Sequence, residues 1–250
     1  MYCPVQITYV IRQGDNLYQL ARYYQTTVPG ILALNPAIDP YNLQIGSVLT
    51  ICPGEAFQMS QGNPNPPAGP NVAKQLELIN DMRLAWSQHV YWTRMLLLSI
   101  AQRLQDLDAV TARLMQNPND IARVFAPYYS PEVTRVIANL LTEHLQIGAQ
   151  LITALRDGNS ALAERLNREW YANADKMAKA FADINPYYKQ HEMREMLYSH
   201  LELTTQEIAM RLLGKYPADI KAFDAVEAEA LSMADFFSSG IKQQFPQLFA

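Results

Sequence analysis

Four of the eight residues in Asn63-Pro64-Asn65-Pro66-Pro67-Ala68-Gly69-Pro70 are proline. Proline has no backbone N–H to donate, and it pushes the residue before it out of the helical region. Such a stretch builds neither a helix nor a central strand, so residues 54–71 read as a semi-rigid extended linker. The 250-residue chain is therefore expected to fold as two bodies, residues 1–53 and residues 72–250. A hydrophobic content of 49% supplies both with core material.

Charge and hydropathy exclude two classes of partner. The net charge is -4 and the basic residues form no run, so the chain lacks the electrostatic footprint that a nucleic-acid backbone requires. The longest apolar stretch, Met95 to Ala101, is far short of the roughly 20 residues of a membrane span. The start, Met1-Tyr2-Cys3-Pro4-Val5-Gln6, has neither the basic residues nor the apolar core of a classical signal peptide.

The N-terminal body carries two short strand-like runs and two short helical ones. Tyr9-Val10-Ile11 is β-type, and Gly14-Asp15 supplies a turn and a helix cap before Leu17, Leu20, Ala21 and Tyr24, which recur at helical spacing. Val28 to Leu34 gives a second helix ending at Asn35-Pro36, and Val48 to Cys52 forms a closing strand after the Gly46 turn. The only two cysteines, Cys3 and Cys52, bracket this module. Spacing alone leaves a staple and two separate thiols both open.

Tyr9-Val10-Ile11-Arg12-Gln13-Gly14-Asp15-Asn16-Leu17, then Leu20-Ala21, Asn35-Pro36, Leu43, Gly46 and Leu49-Thr50-Ile51 together resemble a LysM domain over residues 7–53. The resemblance implies a βααβ fold with antiparallel strands and binding of a β-1,4-linked N-acetylglucosamine polymer such as peptidoglycan or chitin. It places the sugar between two loops, Gly14, Asp15, Asn16 and Leu17 on one side and Asn35, Pro36, Ala37, Ile38 and Asp39 on the other. The antiparallel strands also imply that Cys3 and Cys52 meet in a disulfide. Asn16 stands where the family commonly has Thr or Ser. For Asp15 and Asn35, capping and helix termination are the stronger readings. One such module binds weakly and gains by repetition, so self-association is expected.

Beyond the linker the pattern is helical. Breaks at Asn117-Pro118, Pro127 through Pro131, Asp157-Gly158-Asn159, Asn185-Pro186 and Gly214 through Pro217 leave five long helices, near 72–104, 131–157, 160–184, 190–213 and 217–241, with short helical pieces between 107 and 125. The expected fold class is an all-α up-down helical bundle. Four of these helices carry a seam of apolar residues at alternating spacings of four and three. Near the middle of each seam sits a nitrogen-bearing side chain: His89, His144, Asn173 and His200. With alternating chain directions these share one polar layer, and the next layer holds Trp86, Gly148, Trp170 and Thr204. A faint repeat pairs Trp86-Ser87-Gln88-His89 with Trp170-Tyr171-Ala172-Asn173, Pro127-Tyr128-Tyr129 with Pro186-Tyr187-Tyr188, and His144-Leu145 with His200-Leu201. On this reading the domain is two related hairpins, with residues 101–126 an insertion.

Three histidines and an amide, helped by Glu143 or Glu207, form a donor set suited to zinc or iron. The competing reading is a buried hydrogen-bonded network that fixes helix register. No helix carries the Glu-x-x-His pairs of ferritin-like proteins. The helical part resembles an all-helical family of unknown function from spore-forming bacteria, through Trp86-x-x-His89 and the closing Gln244-Phe245-Pro246. No phosphate loop, nucleophile elbow or zinc-protease motif is present. Glu227 and Glu229 read as a solvated or fifth-helix face rather than a hydrolase pair, and the tyrosine pairs as caps over the bundle ends. The sequence thus points to a non-catalytic, glycan-binding scaffold of a spore coat, cortex or cell-wall surface, with no cofactor required. The rival is a wall-anchored enzyme or sensor using the histidine layer.

Overall fold

The computed structural model describes residues 6–12, 15–39, 43–54 and 71–249. Two compact units divide the chain, Met1–Gly69 and Pro70–Ala250. Cys3, Gly14 and linker residues 55–70 lie outside the described residues.

In the first unit β1 (Ile7–Val10) pairs antiparallel with β2 (Val48–Ile51), Ile7 opposite Ile51 and Tyr9 opposite Leu49. The period of two sends Leu49 and Ile51 to the core while Val10 and Val48 stay exposed. Helices α1 (Leu17–Tyr23) and α2 (Val28–Leu34) lie between the strands in sequence and close the core with Leu17, Leu20, Ala21 and Ile31. The expected strand-helix-helix-strand order is present. Its cap is one residue later than expected: Asn16 starts α1, its Oδ1 accepting the Gln19 N–H at 2.9 Å. Asp15 instead accepts the Arg12 N–H at 2.7 Å and the Tyr9 hydroxyl at 2.8 Å, which binds the turn to the strand before it.

The second unit holds α3 (Val72–Gln102), α4 (Leu107–Leu114), α5 (Asn117–Phe125), α6 (Pro131–Arg156), α7 (Ser160–Ile184), α8 (Gln190–Leu212), α9 (Tyr216–Gln244) and a short 3-10 turn, Pro246–Leu248. Among the described residues this makes eight helical segments, five long and three short, where the sequence predicts five long helices with short pieces between 107 and 125. The expected breaks all act. Ser130 caps α6 ahead of Pro131, Asn159 caps α7, and Gly158 and Gly214 take positive φ just past the ends of α6 and α8.

The short helices change the topology. At one end of the core lie Trp86, Ile121, Leu141, Met177, Leu197 and Met233; at the other lie Thr93, Leu114, Gly148, Trp170 and Thr204. Residue numbers rise from the first end to the second along α3, α6 and α8, and fall along α4–α5 and α7. Helix α9 also descends, since its first turn meets Arg94 and its Met233 and Phe237 reach the first end. The segment expected as an insertion is therefore a full return leg, packed on α3 and α6. With that leg counted, α3 and α6 run parallel, and Trp86 lies across the histidines from Gly148, Trp170 and Thr204 rather than beside them. The three that do share a level interdigitate as expected: a methyl at Gly148 would sit 3.2 Å from the Trp170 ring. Instead of two related hairpins, three antiparallel pairs make up the unit: α3 with α4–α5, α6 with α7, and α8 with α9.

At the first end the aromatics pack tightly. Tyr188 is 1% exposed and donates its hydroxyl to the Phe237 carbonyl at 2.6 Å, while its ring stacks on Phe236. A Cβ at Gly240 would lie 2.0 Å from that ring, and the ring is fixed at both its face and its hydroxyl. Gly240→Ala is therefore expected to destabilise the unit by more than about 3 kcal/mol, the upper end of ordinary overpacking. Denaturant unfolding measures it, and a loss below about 1 kcal/mol would mean the ring moves freely.

Candidate functional site

Two places in the molecule gather chemistry. In the first unit, Asn35 ends α2 by turning its side chain onto β2. Its Nδ2 donates to the carbonyls of Ile31 at 2.7 Å and Thr50 at 2.6 Å, and its Oδ1 accepts the Thr50 N–H at 2.8 Å. This carboxamide acts as a substitute strand and holds the second loop against the sheet. Just beyond it Pro36, Ala37 and Asp39 are exposed and Ile38 is half-buried. On the other loop Asn16 is exposed, Asp15 half-buried, and Leu17 buried in the core at 3% exposure. Leu17 therefore reaches a ligand only through its backbone. Cys52 is disulfide-bonded.

In the second unit His89, His144 and His200 converge from α3, α6 and α8. Their ring centroids are 6.1, 5.9 and 6.0 Å apart, close to an equilateral triangle, and one ring nitrogen from each lies within 4.8 Å of the others. All three side chains are buried. Each ring is held from outside by an oxygen on the following antiparallel helix. His89 Nδ1 meets Asn117 Oδ1 at 2.9 Å, His144 Nδ1 meets Asn173 Oδ1 at 3.3 Å, and His200 Nδ1 meets Glu229 Oε2 at 3.0 Å.

The amide orientations are fixed by their other bonds. Asn117 Nδ2 donates to the Ala85 carbonyl at 3.0 Å, and Asn173 Nδ2 donates to the Leu140 carbonyl at 3.1 Å and to Glu143 at 3.0 Å. The amide oxygens facing His89 and His144 are thus acceptors only, so in those two rings Nδ1 carries the proton and Nε2 carries the lone pair. Burial, followed by the neighbouring His200, lowers the His89 pKa from 6.5 to about 4, against the pull of Asn117. Burial, with His200 and His89 beside it, takes His144 well below its usual value. Both are neutral near pH 7. Two cavities of about 20 Å³ flank the triangle, each large enough for one water. One is walled by Trp86, Phe181 and Phe237; the other includes Thr93 and Thr204.

Residues 9–51 match the LysM domain family. No curated protein and no solved structure matches the chain. The LysM match covers the second half of β1, all of β2, both short helices and both loops, and it supports peptidoglycan- or chitin-type glycan binding there. The helical unit lies wholly outside it. No described helix is long and apolar enough to cross a membrane.

Of the four residues expected in the polar layer, the three histidines meet. Asn173 stands behind His144 rather than beside the lone pairs. Neither helper acid joins them: Glu143 binds Asn173 and Lys176, and Glu207 binds Arg94 at 2.8 Å. Two residues escaped the sequence reading. Asn117 was read as a helix break, and Glu229 as part of a solvated or fifth-helix face, yet they are the counterparts of Asn173. A signal existed in the numbering: the three histidines precede their acceptors by 28, 29 and 29 residues.

Proposed function

We propose that the protein is a glycan-binding component of a spore or cell-wall layer, in which the LysM unit docks on a β-1,4-linked N-acetylglucosamine polymer and the helical unit is the structural part it carries there. The match over residues 9–51 carries this reading. The loop Asn35–Asp39 supports it: Asn35 is spent on holding the loop, which leaves Pro36, Ala37 and Ile38 as a small apolar platform of the kind that receives acetamido groups. Self-association belongs to the same proposal, since several weak modules in one particle raise effective concentration. The rival, a wall-anchored enzyme on the histidine layer, has little to support it. The cavities beside the rings, about 20 Å³ each, take one water and no sugar.

The test is co-sedimentation of the folded full chain with purified peptidoglycan and with chitin. Retention on at least one is expected, and Ala37→Glu, a charged side chain on the platform, is expected to weaken it about tenfold, or roughly 1.4 kcal/mol. A chain with native circular dichroism that stays in the supernatant with both polymers defeats the proposal.

A further inference from the structure

We infer that His89, His144 and His200 hold one divalent transition metal through their three Nε2 atoms, in a closed site that locks the helical unit and that water alone completes. The inference is independent of glycan binding and concerns the other unit.

The donor geometry points inward. Every hydrogen bond these rings make among the described residues runs through Nδ1, which leaves the three Nε2 atoms to the interior. A network built only to fix helix register satisfies its buried polar atoms. Here three Nε2 atoms face one another, and none has a hydrogen-bond partner among the described residues. A cation between them supplies the missing partner.

The size is right for a first-row ion. Three nitrogens no more than 4.8 Å apart have a common centre at most about 2.8 Å from each, and a zinc–imidazole bond is about 2.0–2.1 Å. Binding therefore draws each ring inward by about 0.7 Å or less, a side-chain adjustment rather than a helix movement. Imidazole nitrogen selects zinc, iron and their neighbours over magnesium or calcium, which want oxygen.

The surroundings match those of a metal-bound histidine, whose far nitrogen is ordinarily held by a carboxylate or carbonyl that sets ring orientation and basicity. All three rings have such a partner, in Asn117, Asn173 and Glu229. Glu229 brings a carboxylate to His200, and Asn173 relays that of Glu143 to His144, so one acid stands one residue removed from the ion and a second stands two residues removed. The remaining coordination positions open on the two cavities. In the one toward Thr93, that residue's Oγ1 is buried without a hydrogen-bond partner, and a metal-bound water beneath it would provide one. Neither cavity admits a larger ligand, which makes the metal a structural tie among α3, α6 and α8.

The full chain, stripped with a chelator and desalted, is titrated with Zn²⁺ by calorimetry, and bound metal is counted by elemental analysis. One equivalent per chain is expected, with a rise in melting temperature of about 5–10 °C at zinc a hundredfold above Kd. His144→Gln and His200→Gln are expected to weaken binding at least a hundredfold. The exposed His191 provides the control, and His191→Gln should still bind one equivalent. Asn173→Leu, which removes only an orienting oxygen, is expected to lose about 10–100-fold. Because a core variant can misfold, Co²⁺ on the wild-type chain gives a second readout: a visible absorption band of nitrogen-bound, four- or five-coordinate cobalt, abolished by one equivalent of zinc. No saturable binding by the wild-type chain, unchanged affinity in folded His144→Gln, or loss of binding in His191→Gln would each overturn the assignment.

Discussion

Asp219→Ala is expected to destabilise the helical unit by about 3–5 kcal/mol, the cost of removing one partner from a buried ion pair. Asp219 is fully buried in the first turn of α9, where the helix N-terminus favours a carboxylate. Both its oxygens take Arg94, which also holds Glu207 at 2.8 Å, and Arg211 approaches at 3.4 Å. Burial alone would raise the Asp219 pKa, but the Arg94 and Arg211 guanidiniums outweigh it and hold the carboxyl below the usual range. Burial raises Glu207, and Arg94 opposes the rise. Alanine at 219 leaves two largely buried guanidiniums with one carboxylate. Arg94→Met in the same chain removes one of the stranded charges and should recover part of the loss, so the double variant is less damaged than the two single losses summed. Equilibrium unfolding in urea measures all of these. A loss under about 1 kcal/mol for Asp219→Ala would mean that apolar packing alone joins α3, α8 and α9.

Metal-free protein is expected to lose stability as pH falls from about 6.5 toward 4. His89 has its folded pKa lowered from 6.5 to about 4, and His144 is lowered further. In that window the unfolded chain binds protons that the folded chain refuses. Stability conferred by neutral burial is therefore fully present above 6.5 and drains away on acidification, on the order of 3 kcal/mol for His89 alone. Salt-bridged carboxylates act in a separate window, because Glu143, Asp219 and Asp235 are lowered from 4.5, 3.8 and 3.8 and lose their contribution only below those values. Glu207 runs the other way, since its pKa is raised and protonation relieves its burial. Unfolding free energies at a series of pH values, with chelator present, should show the decline, and His89→Gln should flatten it. An unchanged free energy between pH 7 and 4.5 would show that the rings ionise without penalty.

The histidine layer was legible because helical seams obey a period that places mid-seam residues at one level, and His89, His144 and His200 obey it. Helix direction was not. Residues 103–126 contain two short helices and carry few strong signals, so their role as a return leg shows only once α5 is seen against α3 and α6. That hidden leg put Trp86 at the wrong end. Asn117 was hidden for a related reason: before a proline, asparagine reads as punctuation, and only burial shows it to be a hydrogen-bond partner. Glu229 looked solvated because acids at exposed and half-buried helix positions leave the same trace in a sequence. In the LysM unit the βααβ order was legible from strand and helix periods. The work of Asn35 was not, since a carboxamide that pairs with a strand across fifteen residues leaves no local pattern.

The three parallel helices that meet at the triangle come from successive thirds of the unit, and the last of its three supporting side chains, Glu229, lies on α9. No fragment that stops short of α9 has all three rings oriented. The triangle therefore reports on docking: it exists only where α3, α6 and α8 have each met the antiparallel leg that orients their histidine, and a half-folded copy cannot counterfeit it.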